Sequence, residues 1–214
     1  MPRRKLFFAN GEFYHVFNRS TASRPIFKGG REKDVFLEAA RFYLQEKPPT
    51  RYSIFRKSRL AYPIDLSKRI VTIVNYCIMP NHFHFTLRQE KDDGVRQFVQ
   101  KISNSFAHYF SILNKSRGHI FEDAFKAVHI EDEGQLFHLT RYIHLNPVTS
   151  YIVERPEDYE YSSYNIYIGN KESDLIDSSF IMNSFKSVEK YKEFVMAQKD
   201  YQRSLDEIKH LLLE

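Results

Sequence analysis

Cysteine and tryptophan are scarce in this sequence. Its 214 residues include one cysteine, Cys77, and no tryptophan. A single thiol excludes an intrachain disulfide and is typical of a reducing compartment, and Cys77 lies in an apolar run where a small buried hydrophobe is expected. No stretch approaches 18 consecutive apolar residues, and the start lacks a signal-peptide core followed by a small-residue cleavage site. These absences predict a soluble, cytoplasmic protein with no membrane association.

Charge is distributed unevenly along the chain. The net charge is +5 and the pI about 9.1. Residues 171–214 contain 7 Lys and Arg against 9 Asp and Glu, whereas residues 1–170 contain 25 against 18. The basic front part suits a polyanionic partner, and the acidic end does not. We therefore expect one domain at 1–170, followed by a tail at 171–214.

Hydrophobic periodicity predicts the order β-α-β-β-α-β-α. The predicted strands are 12–20, 69–79, 82–88 and 124–130, and the predicted helices are 31–47, about 92–118, 133–148 and a helical tail from about 185. Gly118 is expected to close the long helix and Pro147 to end the next one. The segment 48–69 is basic and is predicted to be irregular. This order favours an α+β fold, an antiparallel sheet with helices packed on it and a C-terminal helical extension.

Two histidines stand out in the stretch VNYCIMPNHFHFTLR. In a strand, residues two apart face the same way, so His82 and His84 share one face while the phenylalanines between and after them share the other. Two neutral imidazoles on one face can bind a divalent cation. The motif alone is weak, because hydrogen-bonded histidine pairs without a metal are equally common.

A second motif, TRYIHLNPV, places Tyr142 and Asn146 four residues apart on one helix face. The Asn146 carbonyl oxygen can serve as a third ligand. Two nitrogens and one oxygen would leave positions on Mg²⁺ or Mn²⁺ open for a phosphate oxygen. The alternative is that Tyr142 is a half-buried helix residue and Asn146 a cap. His144, between them, lies on another helix face, and His15 and the remaining histidines are expected to be packed or surface residues.

The ordered motifs MPNHFHFTL, YIHLNPV and PEDYEYSSY resemble those of the single-tyrosine HUH transposases, most closely the REP-associated tyrosine transposases. YHVFNRS and GHIFEDAFKAVHI fit the same pattern, so the resemblance spans residues 8–168. It implies a ferredoxin-like HUH nuclease fold in which His82, His84 and Asn146 hold Mg²⁺ or Mn²⁺. It further implies that Tyr142 attacks single-stranded DNA near a hairpin and forms a 5′-phosphotyrosine, which a 3′-hydroxyl can reseal.

The sequence departs from this family at several positions. Thr149, Ser150 and Tyr151 replace an Arg-Ala-Gly stretch, tryptophan is absent, and 48–69 is longer than the usual link. These changes affect the preferred DNA site more than the chemistry, because the histidine and tyrosine positions are intact.

Basic side chains interleaved with aromatic ones suggest the DNA contacts, since such mixtures suit phosphate binding and base stacking. The predicted DNA-binding residues are Arg51, Arg56, Lys57, Arg59, Arg88 and Arg96. A solvated loop is an equal alternative for any one residue in 48–69.

Three functions follow from these patterns. The first is a metal-dependent DNA transposase or nuclease, and the second is a domesticated relative that binds hairpin DNA without cutting it. The third, a metallohydrolase unrelated to DNA, explains neither the tyrosine spacing nor the basic front part. Whether the protein acts as a homodimer or a monomer stays open.

Overall fold

A computed structural model describes residues 6–58, 63–122 and 124–203. Its centre is a four-stranded antiparallel sheet of order β2-β3-β1-β4. The strands are β1 (Phe13–Arg19), β2 (Val71–Ile78), β3 (His82–Gln89) and β4 (Lys126–Ile130). The helices are α1 (Gly30–Tyr43), α2 (Tyr52–Lys57), α3 (Gly94–Asn114), α4 (Glu133–Thr149), α5 (Tyr164–Tyr167), α6 (Ser179–Met182) and α7 (Val188–Met196). The predicted α+β class is confirmed.

A tight hairpin fixes the register of β2 and β3. The Met79 amide donates to the His82 carbonyl at 2.8 Å, which closes a loop containing only Pro80 and Asn81. β1 then pairs with β3 so that Phe17 lies opposite His84 and Arg19 opposite His82. Every residue of β2 is buried, because helices or loops cover both faces of the sheet there.

The two faces of β3 carry different chemistry. Phe83 contacts Phe36 of α1 with ring centroids 5.0 Å apart, and Phe85 contacts Phe98 of α3 at 6.1 Å. α1 and α3 therefore cover the phenylalanine face, whose aromatic rings supply much of the buried apolar area. The histidine face is crossed by α4.

Three sequence predictions about local structure are wrong. The segment 48–69 contains α2, which packs its Tyr52 and Phe55 rings against Phe42. α3 ends at Asn114, where Lys115 takes the left-handed conformation (φ 47°), so the helix closes before Gly118. α4 continues through Pro147 to Thr149.

Pro147 is tolerated because it lies in the last turn of α4. Its missing N–H removes a single helical hydrogen bond. The last carbonyl groups of α4 are satisfied around it, since the Ser150 amide donates to the Asn146 carbonyl at 3.0 Å and the Ile152 amide donates to the Pro147 carbonyl at 2.9 Å.

The described part of the tail packs on the sheet domain. Ile176 forms a parallel bridge with Ile73 of the edge strand β2. Ile181, Tyr191 and Val195 are fully buried in the same core cluster as the sheet residues. Positions Leu205, Ile208 and Leu212, which contribute to the predicted apolar stripe of the tail, lie outside the described residues. Among the described helices, none is long and apolar enough to cross a bilayer.

Candidate active site

His82 and His84 occupy the face of β3 that α4 crosses. Their ring centroids are 5.0 Å apart and their planes are perpendicular. His84 is only 6% exposed, whereas His82, at the start of the strand, is half-buried. The two histidines therefore share one face of β3, as the strand alternation predicted. That face is covered and not open to solvent.

A buried polar chain positions α4 over this face. Thr86 of β3 donates to the Asn75 side-chain oxygen at 3.0 Å, and the Asn75 amide nitrogen donates to Thr140 Oγ1 of α4 at 2.7 Å. All three residues are buried, so losing any partner would leave an unsatisfied polar group in the core. These hydrogen bonds anchor α4 at Thr140, two residues before Tyr142.

Tyr142 reaches the histidine face within its own chain. Its ring meets the His84 ring edge-on, with centroids 5.8 Å apart. Asn146 lies one turn further along α4, is 5% exposed, and donates from Nδ2 to the Tyr142 carbonyl at 3.3 Å. The structure therefore brings a strand histidine and a helix tyrosine from distant parts of the sequence into contact.

The environment keeps both imidazoles neutral. Burial, and to a smaller extent the positive charge of Arg19, lowers the pKa of His82 to about 4. Burial first, and then His82, His15 and Arg19, holds the pKa of His84 well below the usual range for histidine. Neutral imidazole is the form that binds metals.

The donors that this face offers a divalent cation are neutral histidine nitrogens. Within the described ranges, no group of three or more His, Cys, Asp and Glu could hold a metal ion. Two imidazole nitrogens and one amide oxygen, from the predicted ligands His82, His84 and Asn146, would leave coordination positions open for water or a phosphate oxygen. Such open coordination suits Mg²⁺ and Mn²⁺.

Two neighbours of the histidines were missed by the sequence analysis. His15 of β1, which we expected to be an ordinary packed or surface residue, places Nε2 at 2.9 Å from His84 Nδ1. Arg19, on the same strand, lies opposite His82. The motif YHVFNR does put His15, Phe17 and Arg19 on one face of a strand. Only the register of β1 against β3 shows that this face is the histidine face.

The predicted DNA-binding residues that the structure describes do not gather around the histidines. Arg51 immediately precedes α2, which packs on α1, on the phenylalanine side of the sheet. Arg56 pairs with Glu38 at 3.2 Å and lies over the Tyr109 ring, while Lys57 is exposed. Arg59 lies outside the described residues.

The other two predicted DNA contacts lie in separate places. Arg88 is on the histidine face of β3 but six residues beyond His82, where it donates to the Gly11 carbonyl and pairs with Glu90. Arg96 pairs with Asp93 at 3.0 Å and lines a groove of about 1170 Å³ between the N-terminal segment, α3 and the loop before β4.

The fold and part of the sequence are similar to those of known proteins. Residues 60–146 match the family model described as IS200-like transposase, and this segment contains His82, His84, Tyr142 and Asn146. A solved structure described as a REP-associated tyrosine transposase bound to a REP hairpin is similar, with a TM-score of 0.58 and 16% identity. The match covers 83% of this chain and 94% of that one. No curated protein matches the sequence.

These matches confirm two sequence predictions. The fold is that of the transposase neighbour, an α+β arrangement with an antiparallel sheet. The resemblance to single-tyrosine HUH transposases is also confirmed.

Proposed function

We propose that the protein is a metal-dependent, single-strand DNA transposase or endonuclease that cleaves and rejoins DNA near hairpins through a covalent 5′-phosphotyrosine. The observation that carries this proposal is the contact of Tyr142 with His84, 58 residues earlier in the sequence. The structural neighbour was solved with a hairpin bound, which supports hairpin DNA as the substrate.

In this proposal, His82, His84 and Asn146 hold Mg²⁺ or Mn²⁺. The bound cation would withdraw charge from a non-bridging oxygen of the scissile phosphate. The Tyr142 hydroxyl gives up its proton to solvent and its oxygen attacks phosphorus, while the bond from phosphorus to the 3′ oxygen breaks and that oxygen takes up a proton from solvent, which releases a 3′-hydroxyl. The phosphotyrosine bond retains the energy of the broken phosphodiester, so a second 3′-hydroxyl can displace Tyr142 and reseal the strand.

The contact lies within one chain, which supports a Tyr142 that serves its own histidines, whether the protein acts as a monomer or as a homodimer. We propose that residues 1–170 form the catalytic unit and that 171–214 form a C-terminal helical extension, of which the described part, 171–203, packs on that unit. We also propose a cytoplasmic location, and DNA contacts by Arg51, Arg56, Lys57, Arg59, Arg88 and Arg96.

The test is adduct formation on single-stranded hairpin DNA with Mn²⁺, resolved on a denaturing gel. The wild type should form a covalent adduct, and Tyr142→Phe should form none. Tyr109→Phe is the matched control, because it removes a hydroxyl from α3 on the other side of the sheet and should leave the adduct unchanged. An adduct that persists in Tyr142→Phe would refute the proposal. Tight binding in EDTA with no cleavage would favour the non-cleaving hairpin-binding relative.

A further inference from the structure

Asn81 determines which nitrogen of His82 carries the proton. The Asn81 amide nitrogen donates to the Ser23 carbonyl at 3.1 Å. A backbone carbonyl only accepts, so this contact fixes the orientation of the amide. The Asn81 side-chain oxygen therefore faces His82 Nδ1, 2.6 Å away. An amide oxygen also only accepts, so Nδ1 must be the protonated nitrogen and the lone pair lies on Nε2.

His84 is held at the same ring atom by a different residue. Its Nδ1 lies 2.9 Å from His15 Nε2, and the two rings are nearly parallel, with centroids 5.1 Å apart. One of the two nitrogens must donate to the other. His15 itself is fixed by stacking on Phe17, the strand neighbour opposite His84, at 4.8 Å.

His15 does not act as another metal ligand in this arrangement. Its Nε2 and His84 Nδ1 are engaged with each other, and the described residues offer no three-histidine metal set. A histidine that ligates a metal nearly always donates its other ring N–H to a neighbouring acceptor, which fixes the tautomer and ring orientation. Asn81 and His15 occupy that position for His82 and His84 respectively.

We propose that Asn81 and His15 are positioning residues that hold both histidines in the Nδ1–H form, with the two Nε2 lone pairs directed to one divalent cation. The inference rests on the metal role proposed above for His82 and His84. It adds that the tautomers of both histidines are set before the cation or DNA binds, by Asn81 of the hairpin turn and His15 of β1.

The first experiment uses the full-length protein without metal. Long-range proton–nitrogen NMR on ¹⁵N-histidine-labelled protein reports which ring nitrogen is protonated. Both His82 and His84 should show a protonated Nδ1 and an unprotonated Nε2. A protonated Nε2 on either histidine would overturn the proposal for that residue, whether or not the protein cleaves DNA.

The second experiment measures Mn²⁺ affinity by electron paramagnetic resonance, with no DNA present. His15→Phe keeps an aromatic ring but removes the acceptor, and Asn81→Ala removes the other acceptor. Each should weaken Mn²⁺ binding by roughly 10- to 100-fold, the usual effect of losing such a partner. His15→Gln and Asn81→Asp retain an acceptor and should recover most of the affinity. Thermal unfolding confirms that each variant is folded.

His129→Ala is the matched control, because His129 lies on the neighbouring strand β4 and pairs with Glu12. It should bind Mn²⁺ as the wild type does. Wild-type affinity in His15→Phe and Asn81→Ala would overturn this inference and leave the proposed metal site intact. A wild type that does not bind Mn²⁺ would refute both.

Discussion

His144 Nδ1 lies 2.6 Å from the Tyr191 hydroxyl and joins α4 to the tail helix α7. The other ring nitrogen, Nε2, lies 2.8 Å from Ser163 Oγ, which donates to the Tyr76 carbonyl at 3.2 Å. Because the serine proton is used there, Ser163 accepts from Nε2–H, and Tyr191 donates to Nδ1. Burial lowers the pKa of His144 to about 3, so the ring is neutral. These hydrogen bonds fix α4 at His144, two residues after Tyr142.

We predict that Tyr191→Phe destabilises the protein. The substitution removes the donor to His144 Nδ1 and leaves a fully buried acceptor unsatisfied, at a cost of about 1–3 kcal/mol. Urea unfolding followed by circular dichroism measures the loss. Tyr109→Phe is the control, because the buried Tyr109 hydroxyl has no hydrogen-bond partner among the described residues. Its removal should cost nothing, and equal losses in both variants would contradict the hydrogen-bond assignment.

A second prediction concerns the tail. Ile181 of α6 is fully buried in the core shared with the sheet. Ile181→Ala should therefore lower the free energy of unfolding by about 2–5 kcal/mol within one cooperative transition. Ile152→Ala serves as the control, since Ile152 is 41% exposed and a change there should stay within about 0.5 kcal/mol. A separate, early transition for the tail would instead show that it folds independently.

Alternation and helical spacing were sufficient to predict the strands and the β2–β3 hairpin, whereas the meeting of the histidine face with α4 was implied by the family resemblance. These patterns did not predict local structure that depends on a single tertiary contact. α2 forms because Tyr52 and Phe55 pack against Phe42. Its sequence is too short to show a clear helical spacing of apolar residues. The left-handed residue at the end of α3 is Lys115 and not Gly118, although that conformation costs a residue other than glycine about 1–2 kcal/mol, so residue propensity alone pointed to the wrong position.

The missed role of His15 has a different origin. Its strand was predicted correctly, and so was the face it shares with Phe17 and Arg19. Which strand lies beside β1 depends on pairing between residues about 70 positions apart, as in the contact of His15 with His84. Local patterns carry no information about such register, so the neighbours of a ligand histidine emerge only from the assembled sheet.

Metal binding should stabilise the folded protein by mass action. With Mn²⁺ at 100 times its dissociation constant, the free energy of unfolding should rise by about 2.7 kcal/mol. Differential scanning fluorimetry with and without Mn²⁺ measures the effect as a rise in melting temperature, and EDTA should reverse it. His84→Ala should lose the rise, whereas His129→Ala should keep it. An undiminished rise in His84→Ala would place the cation elsewhere.

The last prediction tests whether DNA extends over α2, on the sheet side opposite the histidines. Lys57 is the sharpest probe, because it is exposed, whereas Arg56 pairs with Glu38 and its loss would also disturb folding. If Lys57 neutralises one phosphate, Lys57→Ala should reduce the slope of log affinity against log salt by about 0.7 for single-stranded DNA. Fluorescence anisotropy across a salt series measures this slope. Lys186→Ala, an exposed lysine of the acidic tail, should leave it unchanged. An unchanged slope in Lys57→Ala would exclude this contact and favour a DNA path along the histidine face, beside Arg19.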